Sequence, residues 1–167
     1  TIVFIDRSKN VEFRENIQKV KLIGKVFQPE AILFETNTFA KSFTQEIRNV
    51  TDLNVHDFNT TRKKKEEIIL SLQMNFENGK IILPYANEES RRVTSTLIEE
   101  LSMFAITDKG KFEGIGAHDD MVMSLALANA ATYQASETFI LLDDLGLFDD
   151  DSNAVKRPVK NAIGLNF

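Results

Sequence analysis

Apolar positions along the chain fall into two periods, and their alternation predicts the elements. Thr1–Asp6 is a short apolar run that predicts a strand, ended by the polar Arg7-Ser8-Lys9-Asn10. From Phe13 to Phe27 the residues Phe13, Ile17, Val20 and Phe27 recur at helical spacing, with Pro29 just beyond. Ala31–Glu35 reads as a buried strand ending on an acid. Thr38–Val50 reads as a helix with Phe39, Phe43, Ile47 and Val50 on one face, and Leu53–Phe58 as the next strand. Arg62–Asn78 predicts a helix with Ile69, Leu72 and Phe76 inward and Gly79 as its cap. Lys80–Leu83 is a short strand stopped by Pro84, and Asn87–Phe104 a long helix carrying Val93, Leu97, Leu101 and Phe104 in phase. Thr107–Phe112 predicts a turn within a hairpin, and Asp119–Tyr133 the last helix. After residue 135 the periodicity fades.

Strands alternating with helices predict an α/β fold, a central mixed sheet flanked by helices. The expected organisation is one domain over residues 1–135 and a partly irregular, acidic extension over 136–167. The 167 residues suit one core that removes roughly 70% of the unfolded surface from water. A hydrophobic content of 43% with 13 Phe agrees with that and argues against disorder. No apolar stretch approaches the roughly 20 residues of a membrane span. No signal peptide is visible, and the cytoplasm is the default compartment. Without cysteine there is neither a disulfide framework nor a thiolate zinc site.

The net charge of −5 argues against a dedicated nucleic-acid-binding module on bulk electrostatics. Its distribution matters more than its sum. Arg62-Lys63-Lys64-Lys65 is a dense basic cluster at a helix start, where positive charge opposes the macrodipole. Phosphate contact explains it; a solvated face partly compensated by Glu66 and Glu67 is the other reading. Asp143–Asp151 holds five aspartates and no basic residue, a pattern of a solvated arm.

The candidate chemistry lies in carboxylates. Asp119 and Asp120 open a helix that is otherwise apolar (Met121-Val122-Met123-Ser124-Leu125-Ala126-Leu127-Ala128), directly after His118 and a Gly-containing approach. Glu35 ends a hydrophobic strand, and sites in α/β sheets sit at the carboxyl ends of strands. Carboxylates converging from separate elements are what a pair of Mg²⁺ or Mn²⁺ ions requires for phosphodiester hydrolysis. Taken singly, each has an ordinary alternative: an N-cap or dipole partner for the aspartates, a solvated edge for Glu35. His118 suits an outer role better than direct ligation, because Mg²⁺ prefers oxygen.

The run from His118 to Ala128 resembles the closing motif of the nuclease domain of bacteriophage terminase large subunits, which is RNase H-like and of RuvC type. The element order agrees over Thr1 to about Tyr133. So do Thr60-Thr61 before a Lys-rich helix, Asn78-Gly79-Lys80-Ile81, and the segment Leu97-Ile98-Glu99-Glu100-Leu101-Ser102-Met103-Phe104. The resemblance implies an endonuclease that uses two Mg²⁺ or Mn²⁺ ions to cut concatemeric viral DNA during packaging. Glu35, Asp119 and Asp120 would be its catalytic metal ligands, with His118 behind them. It further implies double-stranded DNA, an upstream ATPase domain, a portal and a small terminase subunit as partners, in the cytoplasm of an infected bacterium. The family's first catalytic Asp stands in a Gly-x-Asp pattern that the chain lacks, so it is expected on a strand ahead of Thr1. Asp6 is separated from the first helix only by Arg7–Glu12, too few residues for the two antiparallel strands expected there.

No Gly-x-x-x-x-Gly-Lys-[Ser/Thr] occurs, so the chain carries no P-loop. An HD-type phosphohydrolase needs more histidines than His56 and His118. Two rivals remain: another RuvC-type nuclease such as a junction resolvase, and a catalytically silent docking or DNA-binding module of the same fold.

Overall fold

A computed structural model describes residues 1–8, 11–36, 40–107, 111–114, 119–134 and 162–165. The chain runs α1 (Phe13–Phe27), β1 (Ala31–Glu35), α2 (Ala40–Val50), β2 (Val55–Phe58), α3 (Arg62–Glu77) and α4 (Glu88–Met103). It continues through β3 (Phe104–Ile106), β4 (Phe112–Gly114), α5 (Asp120–Gln134) and β5 (Ala162–Leu165). The molecule is mixed α/β. Among the described residues, however, strand direction is not mixed within one sheet. β2, β1 and β5 form a parallel sheet in that order, and β3 pairs with β4 as a separate antiparallel ribbon.

Alternation along β1 builds two cores. Ile32 and Phe34 join Ile17 and Val20 of α1, Phe43 and Ile47 of α2, and Val55. Leu33 points to the opposite face and joins Phe58, Ile68, Ile69 and Leu72 of α3, Val93 and Leu97 of α4, and the buried residues of α5. A central strand covered on both faces must be apolar throughout, which is why Ala31–Phe34 are all buried. α5 is buried along most of its circumference, with Met121, Val122, Met123, Leu125, Ala126, Leu127, Ala130 and Ala131 all enclosed.

Helix ends follow local chemistry. Asn87 and Ser90 form a reciprocal capping box at the start of α4. Thr61 Oγ1 accepts from the Lys64 N–H at the start of α3. At the other end of α3, Gly79 has φ +65°, its N–H donating to Phe76 and that of Lys80 to Asn75. That is a Schellman closure, and the left-handed residue it needs is glycine.

Three expectations change. Thr1–Asp6 and Lys80–Leu83 are not strands; one backbone bond, Ile2 N–H to the Ile82 carbonyl at 2.9 Å, joins them. Pro84 has no N–H to extend that pairing, and its carbonyl is taken by Thr94 Oγ1. Finally, residues 162–165, expected in the irregular extension, lie parallel to β1 from Ala31 to Phe34. Asp143–Asp151 lies outside the described residues. Among the described residues no helix is long and apolar enough to cross a membrane.

Candidate functional site

The parallel sheet has a carboxyl edge, and one of the sequence-predicted acids, Glu35, stands on it. Glu35 is the last residue of β1, paired in register with Phe58, the last of β2; the Thr36 N–H donates to the Phe58 carbonyl at 2.9 Å. Side chains alternate along a strand, so Glu35 shares the face of Leu33, the face covered by α3, α4 and α5. From Phe58 the chain needs only Asn59-Thr60-Thr61 to enter α3. Lys65, the fourth residue of α3, donates from Nζ to Asp119 Oδ2 at 2.8 Å. That ion pair joins the start of α3 to the start of α5. Asp119 therefore stands beside the start of α3, the helix that the chain enters three residues after β2 ends.

Lys65 and Asp119 are about one-quarter exposed, 23% and 29% respectively, and the Lys65 ammonium also stands 5.6 Å from the centre of the Phe104 ring. This is a partly dry ion pair with a cation–π contact, stronger than an exposed pair. The remainder of the basic cluster is differently engaged. Arg62 pairs with Glu66 at 3.1 Å and Lys63 with Glu67 at 3.8 Å, each one helical turn on. Arg62, Lys63 and Lys65, expected at phosphate, thus have carboxylates of their own chain as partners.

Asp119 occupies the N-cap position of α5, and its backbone carbonyl accepts from the Met123 N–H at 2.9 Å. Its carboxylate is held by Lys65. The Met121 N–H donates instead to Oε2 of Glu100, from the last turn of α4, at 2.9 Å. Glu100 is only 5% exposed, and its Oε1 lies 3.0 Å from Nη2 of Arg7. Arg7, with Arg92, Val93 and Thr96, also lines a cavity of about 360 Å³. Sequence reasoning did not find the inward turn of Lys65 or the role of Arg7. Glu100 stood in a motif without an assigned role; its only sequence signal is a Glu at a position that also serves the buried face of α4.

Asp120 is exposed at the first position of α5. His118 lies outside the described residues, as do Asn37, Thr38 and Phe39 after Glu35. Asp6, the chain's own substitute for a first acid, is tied elsewhere, accepting from Lys19 Nζ at 3.1 Å on α1. Among the described residues no three Asp, Glu or His side chains assemble into a group that could hold a metal ion. The donor set at the edge is nonetheless all oxygen, and a cation already sits on one member. Thr60 Oγ1, between β2 and α3, is buried without a hydrogen-bond partner. Carboxylate oxygens suit a hard divalent ion such as Mg²⁺ or Mn²⁺, which would have to displace the Lys65 ammonium from Asp119.

Protein-family models, curated proteins and solved structures compared with the chain give no match.

Proposed function

We propose that the chain is a metal-dependent DNA endonuclease domain with an RNase H-like fold, of the kind that phage terminases use to cut packaged DNA. One observation supports the reading: Glu35 ends β1 in register with the last residue of β2, and Asp119 is held by Lys65 at the start of α3, the helix that follows β2. An N-cap reading of Asp119 loses force, because the Met121 N–H is met by Glu100 and the Asp119 carboxylate points to a cation.

In this reading Glu35, Asp119 and Asp120 hold Mg²⁺ or Mn²⁺. Two such ions, when bound, supply an activated water and neutralise the leaving oxygen. The chain's own contribution is positional. β1 and α5 fix the carboxylates from two rigid elements, and Lys65 carries a positive charge to the edge that an anionic phosphodiester would approach. Double-stranded DNA is the proposed substrate; an ATPase domain, a portal and a small terminase subunit are the proposed partners, and an infected bacterium's cytoplasm the setting.

A second reading, a silent docking or DNA-binding module, is favoured by the absence of a three-carboxylate group among the described residues. Nicking of supercoiled plasmid with Mn²⁺, by the chain and by Glu35→Ala and Asp120→Ala, separates the two. The nuclease reading expects metal-dependent nicking that both substitutions abolish. Equal cutting by both variants would mean the site is misassigned, and no cutting by the chain extended with the strand expected to carry the first Asp favours the docking module. DNA binding should fall steeply with salt in either case.

A further inference from the structure

Hydrophobic contact is non-directional, so a helix as apolar as α5 has little in its packing to fix its position along its own axis. Ala126, Ala130, Ala131 and the flexible Met121 and Met123 fill space without specifying register. Directional bonds must do that. Near the carboxyl-terminal half, Asn129 Oδ1 accepts from Asn75 Nδ2 at 2.7 Å, and Asn129 Nδ2 donates to Ser71 Oγ at 3.2 Å. At the amino-terminal end the tie to α4 is Glu100 Oε2 on the Met121 N–H.

We propose that Glu100 is a positioning residue: by capping α5 from α4, with its other oxygen facing the Arg7 charge at 3.0 Å without an aligned hydrogen bond, it fixes where the Asp119 and Asp120 carboxylates stand. The inference rests on the nuclease reading for what those carboxylates do, but the cap itself is independent of it. An N-cap supplied by the helix's own chain would draw the Asp119 side chain back onto α5. A cap supplied by Glu100 leaves that side chain turned outward, where Lys65 meets it. The bond lies one residue from Asp120 and two from Asp119, so a shift of the Met121 amide moves both carboxylates. Its desolvation is severe, since Glu100 and Met121 are both buried; a buried N–H without an acceptor is costly enough for the helix start to move.

Reach and charge can be separated. Glu100→Asp keeps the charge and withdraws the carboxylate by one methylene. Glu100→Gln keeps the reach, and is combined with Arg7→Gln because an amide NH2 opposite a guanidinium would set donor against donor. Two quantities are read on the whole chain: hydrogen exchange at the Met121 amide, and Mn²⁺ affinity by calorimetric titration. In Glu100→Asp, Met121 exchange should rise at least tenfold with the Ala126–Ala130 amides unchanged, and Mn²⁺ affinity should fall about tenfold. The double variant should stay within threefold of the unaltered chain in both. Mn²⁺ affinity unchanged in Glu100→Asp, or lost equally in the double variant, would overturn the positioning role. An unaltered chain that binds no Mn²⁺ would overturn the nuclease reading instead, while the exchange data still report on the cap.

Discussion

Replacing Lys65 with Met keeps the aliphatic stem and removes the ammonium from Asp119. At 2.8 Å the gross attraction is about 6 kcal/mol with an effective dielectric constant of about 20. Desolvation offsets most of it, and a hydrogen bond to a charged group contributes a net of roughly 1.5–3 kcal/mol. The Phe104 ring, 5.6 Å from Nζ, adds about 0.5–1 kcal/mol. Lys65→Met should therefore destabilise the chain by about 2–4 kcal/mol in urea at neutral pH without added metal. The same contact opposes any other cation at Asp119, because the ammonium must leave first. Losing that competitor should tighten Mn²⁺ binding by about 10–100-fold, the equivalent of 1.5–3 kcal/mol. Stability and metal affinity should thus move in opposite directions, and saturating Mn²⁺ should recover much of the lost stability. The assay is urea denaturation with and without Mn²⁺, paired with calorimetric titration. Unchanged stability would show that the pair contributes nothing, and unchanged or weaker Mn²⁺ binding would refute the competition.

Two further outcomes test the fold around the site. A Cβ at Gly24 of α1 would stand 2.6 and 2.7 Å from the two Cδ atoms of Leu53, so Gly24→Ala sets an overpacking cost of about 1–3 kcal/mol against a helix-propensity gain of about 1. It should destabilise the unaltered chain yet stabilise a Leu53→Ala background; strictly additive effects in that double-mutant cycle would sink the steric account. For His56, burial first and then the Arg48 charge lower the pKa below the ordinary 6.5, partly opposed by Asp57. The unfolded chain therefore takes up this proton first, so His56 contributes stability that is complete above pH 6.5 and declines as pH falls below it. Between pH 7.5 and 5.5 the unaltered chain should lose more stability than His56→Gln, and equal slopes would refute the assignment.

Secondary structure was legible in the sequence wherever one face of an element is buried. α1 and β1 have the bounds the apolar pattern predicts, and α3 ends at the glycine that its closure requires. The flanking runs at Thr1–Asp6 and Lys80–Leu83 misled because a strand exists only through its partner, and their pairing amounts to one bond. The pairing of residues 162–165 with β1 was illegible for the same reason. Four residues have too little pattern to declare a neighbour more than a hundred positions away.

The candidate site divides likewise. That acids end β1 and begin α5 is legible in the chain alone, because Glu35, Asp119 and Asp120 interrupt apolar runs that have no local use for charge. So is the enclosure of α5. Which cation answers which acid depends on packing: Lys65 turns inward to Asp119, while Arg62 and Lys63 stay with their helical neighbours. So does the capping of α5 by Glu100, carried on another helix. Periodicity records which side of an element faces the core, since burial acts on one residue at a time. Pairing between distant charges depends on how elements pack, and no single position in the sequence encodes that.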